Sequence, residues 1–155
     1  MLFAEAWARP LLVLHAVLAA ATTGAVTHDL VFLRLACSRG GRFVGLHRLF
    51  THLSTLLALA TVAVGAVVYP IYRIRVRQGY LEGAHPAVPF LFDLKENLGT
   101  ILLATLFAYL FLLRRQALPE DRWLRATYLL FSATAFAIVW FNLVCGLSVV
   151  MARSV

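Results

Sequence analysis

The sequence predicts an all-α integral membrane protein that folds as an up-down-up-down four-helix bundle. Of its 155 residues, 62% are hydrophobic and only 14% are charged, whereas a soluble domain carries about a quarter charged residues. The charges lie between four long uncharged runs, 10–28, 49–72, 97–113 and 126–152, and a helix needs about 20 apolar residues to cross the hydrocarbon core. None of the runs alternates with a period of two, as a membrane β-strand would. The whole chain, residues 1–155, is therefore expected to form one transmembrane domain.

Local signals predict where each helix begins and ends. The predicted helices cover residues 10–35, 46–70, 93–114 and 124–151. Pro10 suits a first turn because its missing N–H would have no intrahelical partner, and Pro70 marks the expected end of the second helix. Asp93 and Glu96 have the spacing of a capping box, which predicts the start of the third helix. Residues 71–92 are then expected to form a long loop over the end of the bundle, and the other two connections are short turns.

The basic residues predict an orientation in the membrane. The side that holds both termini and the 71–92 connection (the terminal side) carries six of them, and the side with the two short turns (the turn side) carries eight. Basic residues favour the cytoplasmic side, so both termini are expected to be non-cytoplasmic. The expected location is a bacterial-type inner membrane. The net charge of +7 is assigned to helix ends at lipid headgroups rather than to nucleic-acid binding.

Histidines inside apolar helices are candidates for function. His15 and His28 lie in the first helix, His47 and His52 lie in the second, and His85 lies in the predicted loop. If the middle of each uncharged run marks the membrane midplane, His28 and His52 both lie about 13 Å toward the turn side, at 1.5 Å per residue. Matching depth on neighbouring antiparallel helices is what two axial imidazoles of one haem iron require. His28 and His52 are therefore the predicted haem ligands.

His47 competes with His52 for the inward position on the second helix. The two residues are five apart, or about 140° around the helix, so they cannot both face the interior. The His47 face continues through small or polar residues: Thr51, Ser54, Ala58, Thr61 and Gly65. Such a stripe is typical of a packed membrane interface, but His47 itself lies about 20 Å from the midplane by the same rise. The character of its helix face favours His47 as the inward residue, and distance from the membrane midplane favours His52. The distance is given more weight.

His28 and His52, with the His47–Arg48 pair that opens the second helix, resemble the four-helix transmembrane b-type cytochromes, which hold haem b between helices. The resemblance implies an electron-transfer subunit that binds b-type haem between the first two helices. It further implies electron exchange with a quinone and association with other membrane or redox subunits. Arg48 and Arg34 lie near the depth at which the resemblance implies pairing with haem propionates.

Two other interpretations stay open. In the first, the paired histidines bond each other or Asp29 and lock two helices together, in a non-catalytic scaffold or accessory subunit of a larger complex. In the second, the chain handles protons or metal ions through His15, Asp29 and Glu96. His15, Glu96 and Asn142 also form a candidate proton or quinone site. The sequence contains no phosphate loop, CxxC, CxxCH or HExxH motif, so any enzymatic role is expected to be redox and shared with other subunits.

Overall fold

The structure, a computed structural model, describes residues 7–39, 41–81, 83, 87–116, 118 and 120–153. The described part contains four long helices: α1 (Ala8–Arg39), α2 (Val44–Ile71), α3 (Ala87–Arg115) and α4 (Arg122–Arg153). A short 3-10 turn, Gly41–Phe43, precedes α2, and a π-helical segment, Tyr72–Leu81, follows it. No strand occurs among these residues. All four helices have the length and composition to cross a membrane, which confirms an all-α integral membrane protein.

The connection between α2 and α3 differs from the predicted loop because it is mostly helical. α2 continues through Pro70, where the sequence predicted its end. A proline removes one backbone N–H from the helical ladder and crowds the preceding turn, and a wider π-helical turn is one way in which a helix accommodates such a disturbance. Here the π-helical segment follows directly and carries the chain to Leu81. His85 lies outside the described residues.

α3 begins at Ala87 rather than at the predicted capping box. Pro89 lies in its first turn, where a missing N–H has little cost. The carboxylate of Asp93 accepts two hydrogen bonds from the Arg77 guanidinium instead of capping a helix, at 2.6 and 3.2 Å. This bidentate pair ties the π-helical segment to α3.

α1 and α2 run in opposite directions, and so do α3 and α4. In each pair an earlier residue of the first helix contacts a later residue of the second, and a later residue contacts an earlier one: His15 with Thr61 and Asp29 with Thr51, then Lys95 with Gly146 and Leu112 with Tyr128. Each of these pairs of helices is therefore antiparallel. The up-down-up-down order across a bilayer agrees with these contacts and stays a prediction.

The bundle has an apolar interior and an apolar outer surface. The main core cluster, near the middle of the bundle, comprises Val26, Ala58, Leu102, Leu106, Ala135, Ile138 and Val139. On the outside, large apolar side chains such as Leu56 and Leu130 are about two-thirds exposed, at 65% and 67%. Extended apolar surface of this kind marks contact with a membrane or another protein. The outer faces of the helices are thus suited to lipid.

Gly65 permits the close approach of α1 and α2 at His15. A Cβ at position 65 would lie 3.0 Å from the His15 Cε1, whereas nothing lies within 4 Å of a Cβ at Gly24. Relative to Gly24→Ala, Gly65→Ala is expected to lower the free energy of unfolding by about 1–3 kcal/mol, because it overpacks the interface. Unfolding of both variants in detergent measures the difference. Equal stability of the two variants would contradict close packing at Gly65.

Candidate functional site

Asp29 is a buried carboxylate near the turn side of the bundle. Its side chain comes from α1, which is otherwise largely apolar there, and the residue is only 3% exposed. A carboxylate is stable away from water only when neighbouring groups supply hydrogen bonds or opposite charge. The partners of Asp29 are therefore the first feature to identify.

Side chains of α2 and α4 contact Asp29 directly, and a side chain of α3 contacts it through His47. Thr51 on α2 donates to Oδ1 at 2.6 Å, and Ser132 on α4 donates to Oδ2 at 2.8 Å. The His47 Nδ1 lies 2.9 Å from Oδ1, which is an ion-pairing distance, although its direction does not satisfy hydrogen-bond geometry. The hydroxyl of Tyr109 on α3 lies 3.1 Å from the His47 Nε2. These five residues are hereafter the Asp29 network.

The local structure explains why these side chains meet. His47 and Thr51 are four residues apart on α2 and therefore share one face of the helix. The Tyr109 ring packs edge-to-face against Tyr128 of α4, with ring centroids 5.4 Å apart. Leu33 and Leu113 form one apolar cluster with these two tyrosines. The network is thus enclosed by apolar groups, which strengthens its electrostatic interactions.

The network contains three titratable groups in series: Asp29, His47 and Tyr109. An imidazole accepts a proton at one ring nitrogen and releases one from the other, and a nearby carboxylate stabilises the protonated ring. The Tyr109 hydroxyl donates to the His47 Nε2 or accepts from it, depending on the tautomer. The arrangement is therefore suited to holding one proton, and a reorientation of the His47 ring would align its Nδ1 with Asp29 for transfer along the series.

Polar groups continue from the network toward the terminal side along the interface between α1 and α2. Ser54 is fully buried, and its Oγ has no hydrogen-bond partner among the described protein atoms; an internal water is expected at such a hydroxyl. The Thr22 and Thr61 hydroxyl oxygens lie 3.0 Å apart. The His15 Nδ1–H donates to the Thr61 backbone carbonyl at 3.0 Å. The Asp29 network and these four residues are hereafter the polar seam.

The predicted haem ligands His28 and His52 lie on the outside of the bundle. The Nδ1–H of each ring donates to the carbonyl four residues earlier, of Gly24 at 2.8 Å and of Arg48 at 2.7 Å. His28 also stacks on Phe50, with ring centroids 5.2 Å apart. Phe50 and His52 are separated by about 200° around α2. The structure therefore does not bring the two predicted ligands together on one flank, and haem binding stays a prediction.

The remaining predicted site residues fall in several places. His47 is fully buried and His52 is exposed. The inward residue of this pair is therefore the one on the small, polar face of α2, not the one at the depth of His28. Arg34 and Arg48 are exposed at the turn side.

The candidate proton or quinone residues are likewise spread over different surroundings. His15 belongs to the polar seam. Glu96 is exposed and accepts a hydrogen bond from the Tyr69 hydroxyl. The Asn142 Oδ1 is buried, with no hydrogen-bond partner among the described protein atoms.

Tyr109 and Ser132 were not predicted as site residues. The one available signal was Asp29 itself, a carboxylate at the end of a long uncharged run. Single hydroxyl side chains occur throughout these helices, so the sequence does not distinguish the two that contact the network.

Removal of one donor to Asp29 tests whether the network contributes to stability. Ser132→Ala is expected to lower the free energy of unfolding by about 1.5–3 kcal/mol, since hydrogen bonds to charged groups contribute about this much. Ser148 is the matched control, because it lies on the same helix and donates to the Val144 carbonyl at 3.0 Å. Ser148→Ala is expected to change stability by less than about 0.5 kcal/mol. Denaturant titration in detergent measures both, and equal losses would count against the network.

The described residues contain no group of three or more His, Cys, Asp or Glu side chains that could hold a metal ion. Comparison of the chain with family models, curated proteins and solved structures finds no match.

Proposed function

We propose that this protein carries protons across the membrane through the polar seam. The observation that supports this function is the buried Asp29 carboxylate, 2.9 Å from the His47 imidazole, in a bundle of apolar helices. Ionisable groups at membrane depth are costly, and a well-packed apolar pair often stabilises a fold as well as a buried ion pair does. Proton binding would give this costly pair a role in addition to the orientation of the helices.

The groups of the seam follow one another from the Asp29 network to His15, and this order defines the path proposed for the proton. A proton reaches His47 beside the Tyr109 hydroxyl and is shared with Asp29. From there it passes through hydroxyl groups, each of which accepts one proton as it releases its own. Internal water at Ser54 would bridge the interval to the Thr22–Thr61 pair. Because the Nδ1–H of His15 is bonded to the Thr61 backbone carbonyl, a further water would carry the proton from the Thr61 hydroxyl to the His15 Nε2, which releases it toward the terminal side. From His47 to Thr61 the path covers about 21 Å along α2, at 1.5 Å per residue.

The orientation of the seam forms part of the proposal. In a bacterial-type inner membrane with the more basic turn side in the cytoplasm, the Asp29 network faces the cytoplasmic end and both termini face away from it. Proton uptake from the cytoplasm would then occur at the Asp29 network. His15 would lie on the exit side.

Proton flux into liposomes tests this function directly. A potassium gradient with valinomycin sets a membrane potential, and a pH-sensitive dye reports proton entry. Wild-type protein is expected to conduct, and Asp29→Asn is expected to lower the flux at least tenfold, because an amide does not take up the proton. That factor corresponds to about 1.4 kcal/mol in the limiting step. Ser148→Ala, which lies away from the seam, is expected to conduct like the wild type.

His47→Gln extends the same experiment to the second member of the pair and is also expected to lower the flux. Wild-type flux in Asp29→Asn would refute the proposed function. If the seam variants lose stability while the wild-type protein itself conducts no protons, the result favours the scaffold or accessory-subunit interpretation.

A haem-binding electron-transfer subunit is a second candidate, favoured by the ring orientation of His28 and His52. In each ring, the bond from Nδ1–H to a backbone carbonyl fixes the tautomer that leaves Nε2 available to a metal ion, as in many metal-binding histidines. Because the two rings lie on different flanks, each haem b would need its other axial ligand from another chain. Such a partner would be a redox subunit, and electron exchange with a quinone belongs to the same proposal.

A reduced-minus-oxidised spectrum and a pyridine haemochrome assay test the haem proposal. Protein purified together with its partner subunits from haem-supplied cells is expected to show a low-spin b-type signal, and His52→Ala is expected to remove the haem bound at His52. A flat wild-type spectrum, or normal haem content in His52→Ala, would exclude His52 as a ligand. Because His47 lies inside and His52 outside, comparison of the His47→Gln and His52→Ala variants separates the two candidate functions.

A further inference from the structure

We infer that the connection between α1 and α2 binds the headgroup of an anionic phospholipid through Arg39 and Arg42. This inference does not depend on proton transfer, because neither arginine belongs to the polar seam. Residues 30–48 contain four arginines, at positions 34, 39, 42 and 48, and no acidic residue. All four arginines are exposed. This end of the α1–α2 pair therefore presents positive charge that no neighbouring carboxylate in the sequence offsets.

The connection between α3 and α4 differs in this respect, although it lies on the same side of the bundle. Residues 114–125 also contain four arginines, but Glu120 and Asp121 lie among them. The Asp121 carboxylate accepts a hydrogen bond from the Trp123 backbone N–H, and Arg125 donates to the Glu120 carbonyl, each at 3.1 Å. The charge of the second connection is thus partly offset, whereas that of the first is not.

Aromatic side chains of α1 and α2 form a flank next to the first connection. The Phe32 ring centroid lies 6.4 Å from that of Phe43 and 5.2 Å from that of Phe50, and the Phe50 ring stacks on His28. The three phenylalanines are half-buried. Arg39 follows His28 by about three helical turns, so the two residues lie on the same face of α1. The flank therefore leads from the apolar part of the bundle to an exposed guanidinium.

The depth of Arg39 agrees with a lipid phosphate as its partner. Arg39 lies about 23 Å from the middle of α1, at about 1.5 Å per residue. The hydrocarbon core ends about 15 Å from the midplane, and the headgroup layer ends about 22 Å from it. A guanidinium on a long flexible side chain reaches back into that layer. A phospholipid would then have its phosphate at the arginines and an acyl chain along the aromatic flank.

Charge complementarity selects the kind of headgroup. A guanidinium binds phosphate oxygens through parallel hydrogen bonds, and every phospholipid offers a phosphate. The choline of phosphatidylcholine cancels the charge of its own phosphate, whereas phosphatidylglycerol adds only hydroxyl groups and keeps a net negative charge. Basic residues next to a membrane helix attract anionic lipids. A preference for phosphatidylglycerol over phosphatidylcholine is therefore expected.

Native mass spectrometry of the detergent-purified full chain tests the inference, with these two lipids carrying identical acyl chains as probes. Wild-type protein is expected to bind phosphatidylglycerol at least about tenfold more tightly, since two basic residues at the membrane surface contribute at least this factor. The double variant Arg39→Gln/Arg42→Gln is expected to lose the preference. Arg114→Gln/Arg115→Gln, which removes the same charge from the second connection, is expected to keep it.

Two results would overturn the inference. Equal binding of both lipids by the wild-type protein would do so, and an acidic protein would then be the better partner for the arginines. Equal loss of the preference in the two double variants would also do so, because the preference would then follow total charge rather than this connection. Circular dichroism of each variant in detergent, with the helix content of the wild type, shows that the compared proteins are folded.

Discussion

The contacts of the Asp29 carboxylate determine how the four helices meet. Its two oxygens accept hydrogen bonds from α2 and α4, and His47 extends the contact to α3. A rotation of any one helix by a single residue would turn its side chain by about 100° and remove its partner. A buried charge that loses its partners is strongly destabilising, by about 3–5 kcal/mol. The network therefore selects one rotational setting for each helix.

Apolar packing alone would not select that setting as sharply. In a bilayer, lipid tails are as apolar as the helix surfaces, so helices associate through close packing and hydrogen bonds rather than through exclusion of water. The interface between α1 and α2 supplies both contributions. Gly65 and Ala58 permit close approach, and the Thr22–Thr61 contact lies in the same interface. Close packing therefore places the polar groups within bonding distance, and their bonds keep the helices in register.

The seam differs in electrostatic character at its two ends. A carboxylate shared with an imidazole lies near the turn side, and an imidazole bonded to a backbone carbonyl lies toward the terminal side. A positive charge is therefore stabilised more strongly at the first end than at the second. In the proposed function, this difference gives proton transfer a direction, from the Asp29 network toward His15.

The two strongest local signals in the connecting region were outweighed by longer-range structure. Pro70 was expected to end α2, and the spacing of Asp93 and Glu96 was expected to begin α3. The helical path continues beyond Pro70, and Asp93 bonds to Arg77 of the π-helical segment. A capping box competes with any nearby guanidinium for its carboxylate, and bidentate pairing with arginine is the stronger interaction. Local spacing does not reveal such a competitor sixteen residues earlier in the chain.

The sequence by itself determined that this protein consists of membrane-spanning helices, because each uncharged run has the length that a helix needs to cross the hydrocarbon core. It also identified the small, polar face of α2 on which His47 lies. Only the tertiary structure decided that His47 faces inward while His28 and His52 lie outside. The reason is physical: burial of an imidazole depends on the partners that compensate it. Those partners, Asp29 and Tyr109, come from other helices whose rotation no local pattern specifies.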